Sequence, residues 1–342
     1  MNENDCVTGY IGGDAVYAIL EAHPEYEISC LVRDEAKGAL VSEAQPSLRI
    51  VYGDLDDGDL LEEEAANTDI ICSFAHATHE PSVQALARGL ARRTRPGPGF
   101  FIHTMGTGTM IYDDIVKGRY GKGSNKIFND LEGLVEVLSV PDFAKARGAE
   151  NTVRQVGIQL PGRIKTAVVC TSSVYGLGRG ILKYRPTAIH ELVRATLQRK
   201  RPLVVGEGES AWRNVHVSIF RTCTSIWSHA VAGGEPRTGP AVWGGSEGFY
   251  FAEGGEHVWS ELARSISAEA ASQGFLSLEE PESIDPGEAA KITPMGQFFW
   301  GCNARVEGRR ARQALNWQPH HPSLEKEIKA IVATEAMKLS LV

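Results

Sequence analysis

The fold is decided near the amino terminus by the stretch Thr8-Gly9-Tyr10-Ile11-Gly12-Gly13, which runs directly into apolar residues between positions 15 and 20. A glycine turn that feeds a helix aims backbone N–H groups at one point, where they hold a diphosphate. The stretch therefore predicts a dinucleotide site with Gly9, Tyr10, Ile11 and Gly12 against the cofactor.

This turn lacks part of the usual glycine-x-x-glycine-x-x-glycine pattern. The second and third glycines fall on Gly9 and Gly12, whereas the first falls on Cys6. A strand should precede the turn, yet residues 1–5 include no β-branched or aromatic residue. We therefore expect a first strand that is truncated or atypical, and whether the cofactor site functions stays open.

The rest of the chain alternates between strand-like and helix-like segments. Strands are predicted at 28–32, 48–52, 68–74, 99–104 and 164–171, and helices at 13–22, 60–66, 81–93, 141–155, 259–272 and 323–339. This alternation predicts an α/β fold with a doubly wound, parallel Rossmann-type sheet. From about residue 176 the pattern becomes irregular and rich in Gly and Pro. We expect an NAD(P)-binding domain over 1–175 and a smaller substrate-binding lobe over 176–342, interleaved with the first.

Composition narrows the class of protein. The net charge of -8 disfavours binding to nucleic acid or to an anionic membrane. No apolar run approaches the ~20 residues that a membrane span needs. The cysteines are far apart and indicate reduced thiols in a cytoplasmic protein. The expected partner is a small-molecule substrate, and a homodimer is left open.

Residues near the ends of the next strands indicate the cofactor type. Arg33 follows the second predicted strand, where an arginine suits a 2′-phosphate and favours NADP over NAD, unless it is simply a solvated charge. Asp54 is a candidate for the adenine amino group, with a helix cap as the alternative. Ala75 lies where the backbone passes the cofactor. No metal is expected, because His76-x-x-His79 has no third ligand at suitable spacing.

Taken together, these motifs resemble the extended short-chain dehydrogenase/reductase family, in its NAD-dependent epimerase/dehydratase-like and NmrA-like branches. The resemblance covers nearly the whole chain, including fungal members found beside secondary-metabolite genes. It rests on residues 8–13, 31–33, 53–55, 101–104, 174–178, 206–208, 214–217, 303–305 and 315–319.

The resemblance implies a Tyr-x-x-x-Lys pair, which this chain lacks. No tyrosine in the sequence has a lysine four residues on. Phe143 and Arg147 occupy the positions of the pair, and neither is a proton donor at neutral pH.

Three other residues are the candidates for catalysis. Thr107 is expected to hold a substrate carbonyl, or else to close a strand in a turn. Tyr175 is an alternative acid, or a core residue at the lobe junction. His216 is a pocket residue, or a structural histidine.

Two main functions follow. The first is an NAD(P)-dependent oxidoreductase, epimerase or dehydratase with a non-standard active site, acting on a small molecule of secondary metabolism. The second is a non-catalytic, NmrA-like regulator or pseudoenzyme that binds NAD(P). A truncated gene product is a third expectation, since loss of a central strand leaves its neighbours unpaired.

Overall fold

The computed structural model describes residues 7–142, 147–182, 188–220, 242–245, 247–319 and 321–341. Its N-terminal part alternates helices and strands as the sequence predicts. In chain order these are α1 (Tyr10–Ala22), β1 (Ser29–Val32), α2 (Glu35–Ala44), β2 (Arg49–Tyr52), α3 (Gly58–Ala66), β3 (Ile70–Ser73), α4 (Glu80–Arg92), β4 (Gly99–Gly106), a 3-10 helix (Thr107–Ile111), α5 (Tyr112–Lys117), β5 (Phe128–Asn129), α6 (Leu134–Ser139), α7 (Gly148–Gln159), β6 (Ile164–Thr171) and β7 (Ser173–Tyr175).

The described elements of the C-terminal part follow in chain order. They are α8 (Ala188–Arg199), β8 (Leu203–Val205), β9 (Ala211–His216), a 3-10 helix (Val217–Phe220), β10 (Phe249–Ala252), β11 (Gly255–Val258), α9 (Trp259–Ser272), β12 (Glu282–Ile284), α10 (Pro286–Ile292), α11 (Gly296–Phe299), β13 (Val306–Glu307), α12 (Arg309–Leu315) and α13 (Leu324–Lys338).

A four-stranded parallel sheet in the order β10-β6-β4-β3 forms the centre of the N-terminal part. Both of its faces are buried, and successive residues of β10 enter opposite cores. Phe249 and Phe251 pack on the side of α4 and α7, whereas Tyr250 and Ala252 pack on the side of α1. This period of two with two apolar faces defines a sheet covered by helices on both sides. The predicted doubly wound α/β fold is confirmed.

The sheet is interrupted where the first strand belongs. Strands β1 and β2 form a separate parallel pair. In the usual order 3-2-1-4-5-6 of a doubly wound sheet, the first strand lies between the strands that correspond here to β1 and β3. No strand among the described residues fills that place, and residues 1–6, Cys6 included, lie outside them. The prediction of an atypical first strand falls on residues 1–6, which lie outside the described residues.

A second core lies in the C-terminal part. Strands β7, β9 and β11 form a three-stranded sheet, and helices α8, α9 and α13 pack together around apolar side chains such as Leu192, Ile266 and Val332. The two parts are interleaved, because β10 pairs with β6 in the N-terminal sheet.

One predicted helix begins later than expected. The stretch 141–155 was predicted to be helical throughout, but α7 begins only at Gly148, and residues 143–146 lie outside the described part. Within the described residues, no helix is long and apolar enough to cross a membrane.

Candidate functional site

The glycine turn forms the amino terminus of α1. Gly9 is the N-cap residue, with extended backbone and no side-chain cap, and Tyr10, Ile11 and Gly12 make up the first helical positions. The first N–H groups of a helix have no intrahelical partner, and the helix dipole favours an anion beside them. The turn therefore has the form that a diphosphate requires.

The start of α1 is in close contact with the segment after β7. A methyl group added at Gly180 would lie 2.8 Å from the Gly13 Cα atom, and one added at Gly13 would lie 2.9 Å from the Val7 carbonyl oxygen. The Tyr10 hydroxyl donates a hydrogen bond of 2.7 Å to the Gly176 carbonyl. Glycine is required at positions 13 and 180 because two backbones meet there. The turn is thereby held at the junction of the two parts.

The residues predicted to face the adenosine follow β1, β2 and β3. Arg33 is exposed directly after β1, while the next residue, Asp34, caps α2 by accepting from the Lys37 N–H at 2.8 Å. Asp54 is half-buried after β2 and accepts from the Asp56 N–H at 2.7 Å, so its carboxylate supports its own loop. Ala75 is half-buried after β3.

Several buried hydroxyl groups lie near the carboxyl ends of β4 and β6. The side-chain oxygens of Thr104, Thr107, Ser172 and Ser173 are buried and have no hydrogen-bond partner among the described residues. Gly106 pairs with Thr171, so Thr107 and Ser172 leave these two strands at the same level. An unsatisfied buried polar group costs about 1–3 kcal/mol, which a polar ligand would offset. Ser172 and Ser173 were not predicted, although their place after β6 is a signal that the sequence contains.

The position of the family lysine is occupied by a structural arginine. The Arg147 guanidinium is buried, donates to the Glu150 carboxylate at 2.9 and 3.0 Å, and also donates to the Val137 and Val140 carbonyls at 2.9 Å. All of these contacts anchor the start of α7. Arg147 is therefore held away from any proton transfer, and Phe143 lies outside the described residues.

Tyr175 and His216 come together, but not with Thr107. They line a cavity of about 350 Å³ in the C-terminal part, and their rings meet edge to face with centroids 5.4 Å apart. The Tyr175 hydroxyl donates to the Pro322 carbonyl at 2.8 Å. Burial, and then Glu325 and Glu327, raise the pKa of Tyr175 to about 12. This tyrosine is thus a weak acid at neutral pH, and Thr107 is not among the described residues that line the cavity.

Ser218 connects two imidazoles in this cavity. Its backbone N–H points to His216 Nδ1 at 3.3 Å, so this nitrogen is the acceptor and the Ser218 hydroxyl donates to it at 2.5 Å. The ring of His321 is stacked on that of His216 with centroids 5.0 Å apart, and its Nδ1 lies 2.9 Å from Ser218 Oγ. Burial, and then His321, lower the pKa of His216 to about 4. His216 is therefore uncharged at neutral pH. Ser218 and His321 were missed because their partners are distant in sequence.

Within the ranges that the structure describes, no group of three or more His, Cys, Asp or Glu side chains is placed to hold a metal ion. His79 instead approaches the Asp56 carboxylate at 3.2 Å, and its ring meets that of His76 edge to face.

The described elements define a doubly wound α/β protein with a glycine turn at the start of its first helix. The chain is 61% identical over 337 residues to a protein of Acremonium sp described as oxidase ucsJ, a match that covers 98% of this chain and 97% of that one. No family model matches.

Solved structures agree with this fold. A dTDP-glucose 4,6-dehydratase of Bacillus anthracis in complex with NAD has a TM-score of 0.65 at 14% identity, covering 97% of this chain and 94% of that one. A UDP-glucuronic acid 4-epimerase of Bacillus cereus with UDP-glucuronic acid and NAD has a TM-score of 0.63 at 14% identity, covering 97% and 98%. The chain belongs to the family of the Acremonium oxidase, and it has the fold of these dehydratase and epimerase structures.

Proposed function

We propose that this chain is an NAD(P)-dependent oxidoreductase that acts on a small molecule at the carboxyl edge of its parallel sheet. The observation that carries the proposal is the set of buried hydroxyls near the carboxyl ends of β4 and β6 that have no partner among the described residues, with Thr107 as the first of them to test. The similarity to an oxidase of Acremonium over nearly the whole chain supports the same class of reaction.

The described residues fit a dinucleotide at the glycine turn. The uncapped amides at Tyr10, Ile11 and Gly12 would hold the diphosphate. The Thr8 hydroxyl is buried without a partner among the described residues, which leaves it available to the same ligand. When bound, a nicotinamide supplies the donor or acceptor of hydride.

The chain's own residues would position the substrate. The Thr107 hydroxyl would donate to a carbonyl oxygen or accept from an alcohol, and Thr104, Ser172 and Ser173 would continue the polar surface. Such hydrogen bonds in a buried site are stronger than in water, and they orient the reacting carbon. No Tyr-x-x-x-Lys pair is needed for this positioning.

The proposed cofactor is NADP, because Arg33 stands exposed at the end of β1 while Asp34 is used as a helix cap. Titration with NADPH and NADH, followed by fluorescence, tests both the site and the choice. We expect NADPH to bind more tightly. Arg33→Ser should weaken NADPH about tenfold and leave NADH unchanged, since a paired guanidinium–phosphate contact is lost. Arg95→Ser, at the amino end of β4, is the matched control.

Nucleotide binding and substrate turnover can fail separately, and each failure leads to a different conclusion about the function. If neither nucleotide binds at millimolar concentration, the proposal is wrong. If NADPH binds but no alcohol or ketone in a broad panel is turned over, the second function, a non-catalytic NAD(P)-binding regulator, is favoured. The loss of the Tyr-x-x-x-Lys pair and the structural use of Arg147 support that alternative.

A further inference from the structure

The cavity around Tyr175 and His216 is a second place where a ligand fits. Its volume of about 350 Å³ lies within the range of small-molecule pockets. Thr104, Thr107, Ser172 and Ser173 are not among its described lining residues. The described wall comes mostly from β9 and the 3-10 helix after it, and from residues 254–256, 316–319, 321 and 323–325. This cavity is therefore distinct from the proposed hydride-transfer edge.

The charged side chains among the described lining residues of this cavity are acidic. Its described lining residues include two carboxylates, Glu256 and Glu325, and no lysine or arginine. Glu256 is neutralised by the Arg305 guanidinium, which donates to both of its oxygens at 2.9 Å. Glu325 is exposed in the first turn of α13 and makes no ion pair within the described ranges. The described lining residues therefore give the cavity a net negative charge.

The negative potential reaches inside the cavity. Glu325 and Glu327 add to burial in raising the pKa of Tyr175, so their carboxylates act on the aromatic wall. His216 carries no positive charge at neutral pH, because burial lowers its pKa to about 4. An anionic ligand would meet repulsion here, whereas a cation would be attracted.

Aromatic side chains also line the cavity. His216 is stacked on His321 and meets Tyr175 edge to face, and Trp317 closes another side of the cavity. Trp317 already holds a cation from outside, because the Arg312 guanidinium lies 5.0 Å from its ring centroid. Aromatic rings attract cations through their negative faces, by about 0.5–2 kcal/mol for each contact. Val215, Ile219 and Leu324 supply apolar surface.

We propose that this cavity binds a small organic cation, namely a protonated amine on an apolar body. Glu325 supplies the charge, the rings of Tyr175 and Trp317 supply cation–π contacts, and the apolar wall accepts the hydrocarbon part. The site goes beyond the proposed oxidoreductase activity and does not depend on it.

Three ligands of one shape test the proposal on the full chain. Cyclohexylammonium, cyclohexanol and cyclohexanecarboxylate are titrated by calorimetry at pH 7.5, with and without NADPH. We expect the ammonium to bind at least tenfold more tightly than the alcohol, and the carboxylate not to bind. NADPH should not compete. Equal affinities, tightest binding of the carboxylate, no binding of the ammonium, or competition by NADPH would each overturn the proposal.

Two variants locate the site. Glu325→Gln should weaken the ammonium three- to tenfold and leave the alcohol unchanged, whereas Glu280→Gln, an exposed glutamate elsewhere, should change neither. Ser323→Trp fills the rim from an exposed position and should abolish binding of both ligands. Binding that survives Ser323→Trp, or a Glu325→Gln effect no larger than that of Glu280→Gln, would place the cation outside this cavity.

Discussion

Arg179 donates three hydrogen bonds to the Asp14 carboxylate. Its backbone N–H and Nε donate to one carboxylate oxygen at 2.9 Å, and its Nη2 donates to the other at 2.7 Å. The Asp14 side chain is fully buried, whereas a quarter of the Arg179 side chain is exposed. The pair ties the segment after β7 to α1, next to the glycine turn.

The two partners of this pair should not be equally costly to remove. Arg179→Met leaves a buried carboxylate with only a backbone donor and should lower the free energy of unfolding by about 3 kcal/mol. Asp14→Asn leaves a guanidinium that still reaches solvent and Glu21, and should cost about 1–2 kcal/mol. Urea denaturation measures both values. A larger loss for Asp14→Asn would contradict this account.

Acid should destabilise the protein partly through His257. This ring is buried, its Nε2 has no partner among the described residues, and burial lowers the pKa of His257 to about 3. In the unfolded chain His257 binds a proton near pH 6.5, whereas in the folded chain it stays neutral at that pH. The contribution of His257 to the free energy of unfolding is therefore complete above pH 6.5 and is lost as the pH falls toward 3.

His257→Phe keeps an aromatic ring against Trp259 and removes the titration. Between pH 6 and 4, the free energy of unfolding should decrease less steeply with falling pH in this variant than in the parent protein. The two slopes should differ by about 1.4 kcal/mol per pH unit. Urea melts at several pH values measure the slope. Above pH 7 the two slopes should coincide, and equal slopes below pH 6 would show that His257 is protonated in the folded state.

The substitution Thr107→Val tests whether the Thr107 hydroxyl contributes to catalysis rather than to stability. It removes a hydroxyl that would position the substrate and should lower kcat/KM by about tenfold to a hundredfold. Its stability should stay equal or rise, because an unpartnered buried hydroxyl becomes a methyl group.

Thr166→Val is the matched control for Thr107→Val. Thr166 lies near the amino end of β6, and its buried hydroxyl also has no partner within the described ranges. Its stability should change in the same direction, with kcat/KM unaltered. Equal kinetic effects in the two variants would remove Thr107 from the proposed site.

Gly180→Ala probes the contact between the two backbones. The added methyl group would stand 2.8 Å from Gly13, so the segment must shift, at a cost of about 1–3 kcal/mol, and NADPH should bind more weakly. Gly162→Ala meets no atom within 4 Å and should be neutral or slightly stabilising. Thermal melts and NADPH titration check both variants. Unchanged binding in Gly180→Ala would show that the turn does not need this contact.

A sequence with higher strand propensity before the glycine turn should strengthen the cofactor site. Replacement of residues 1–6 by a Val- and Ile-rich segment that ends in glycine would favour a strand in the place between β1 and β3. We expect a higher melting temperature and tighter NADPH binding. A segment of the same length rich in Ser and Asn is the control, and no difference between the two would mean that our alignment of the glycine turn is wrong.

The sequence by itself determined the order of the elements and the class of fold. Apolar runs such as Ile164–Thr171 predict strands buried on both faces, and the glycines from Gly9 to Gly13 predict a helix that starts at a turn. These signals are local, because periodicity and backbone freedom depend on neighbouring residues. The same local reasoning placed Thr107 at the end of β4.

Only the tertiary structure decided which side chains meet. Ser218 and His321 are 103 positions apart, and Asp14 and Arg179 are 165 apart, yet each pair is in hydrogen-bond contact. It also separated Thr107 from Tyr175 and His216, and it showed that Arg147 is used to anchor α7. The physical reason is that burial, charge pairing and cavity shape arise where distant segments pack, and no single stretch of sequence contains that packing.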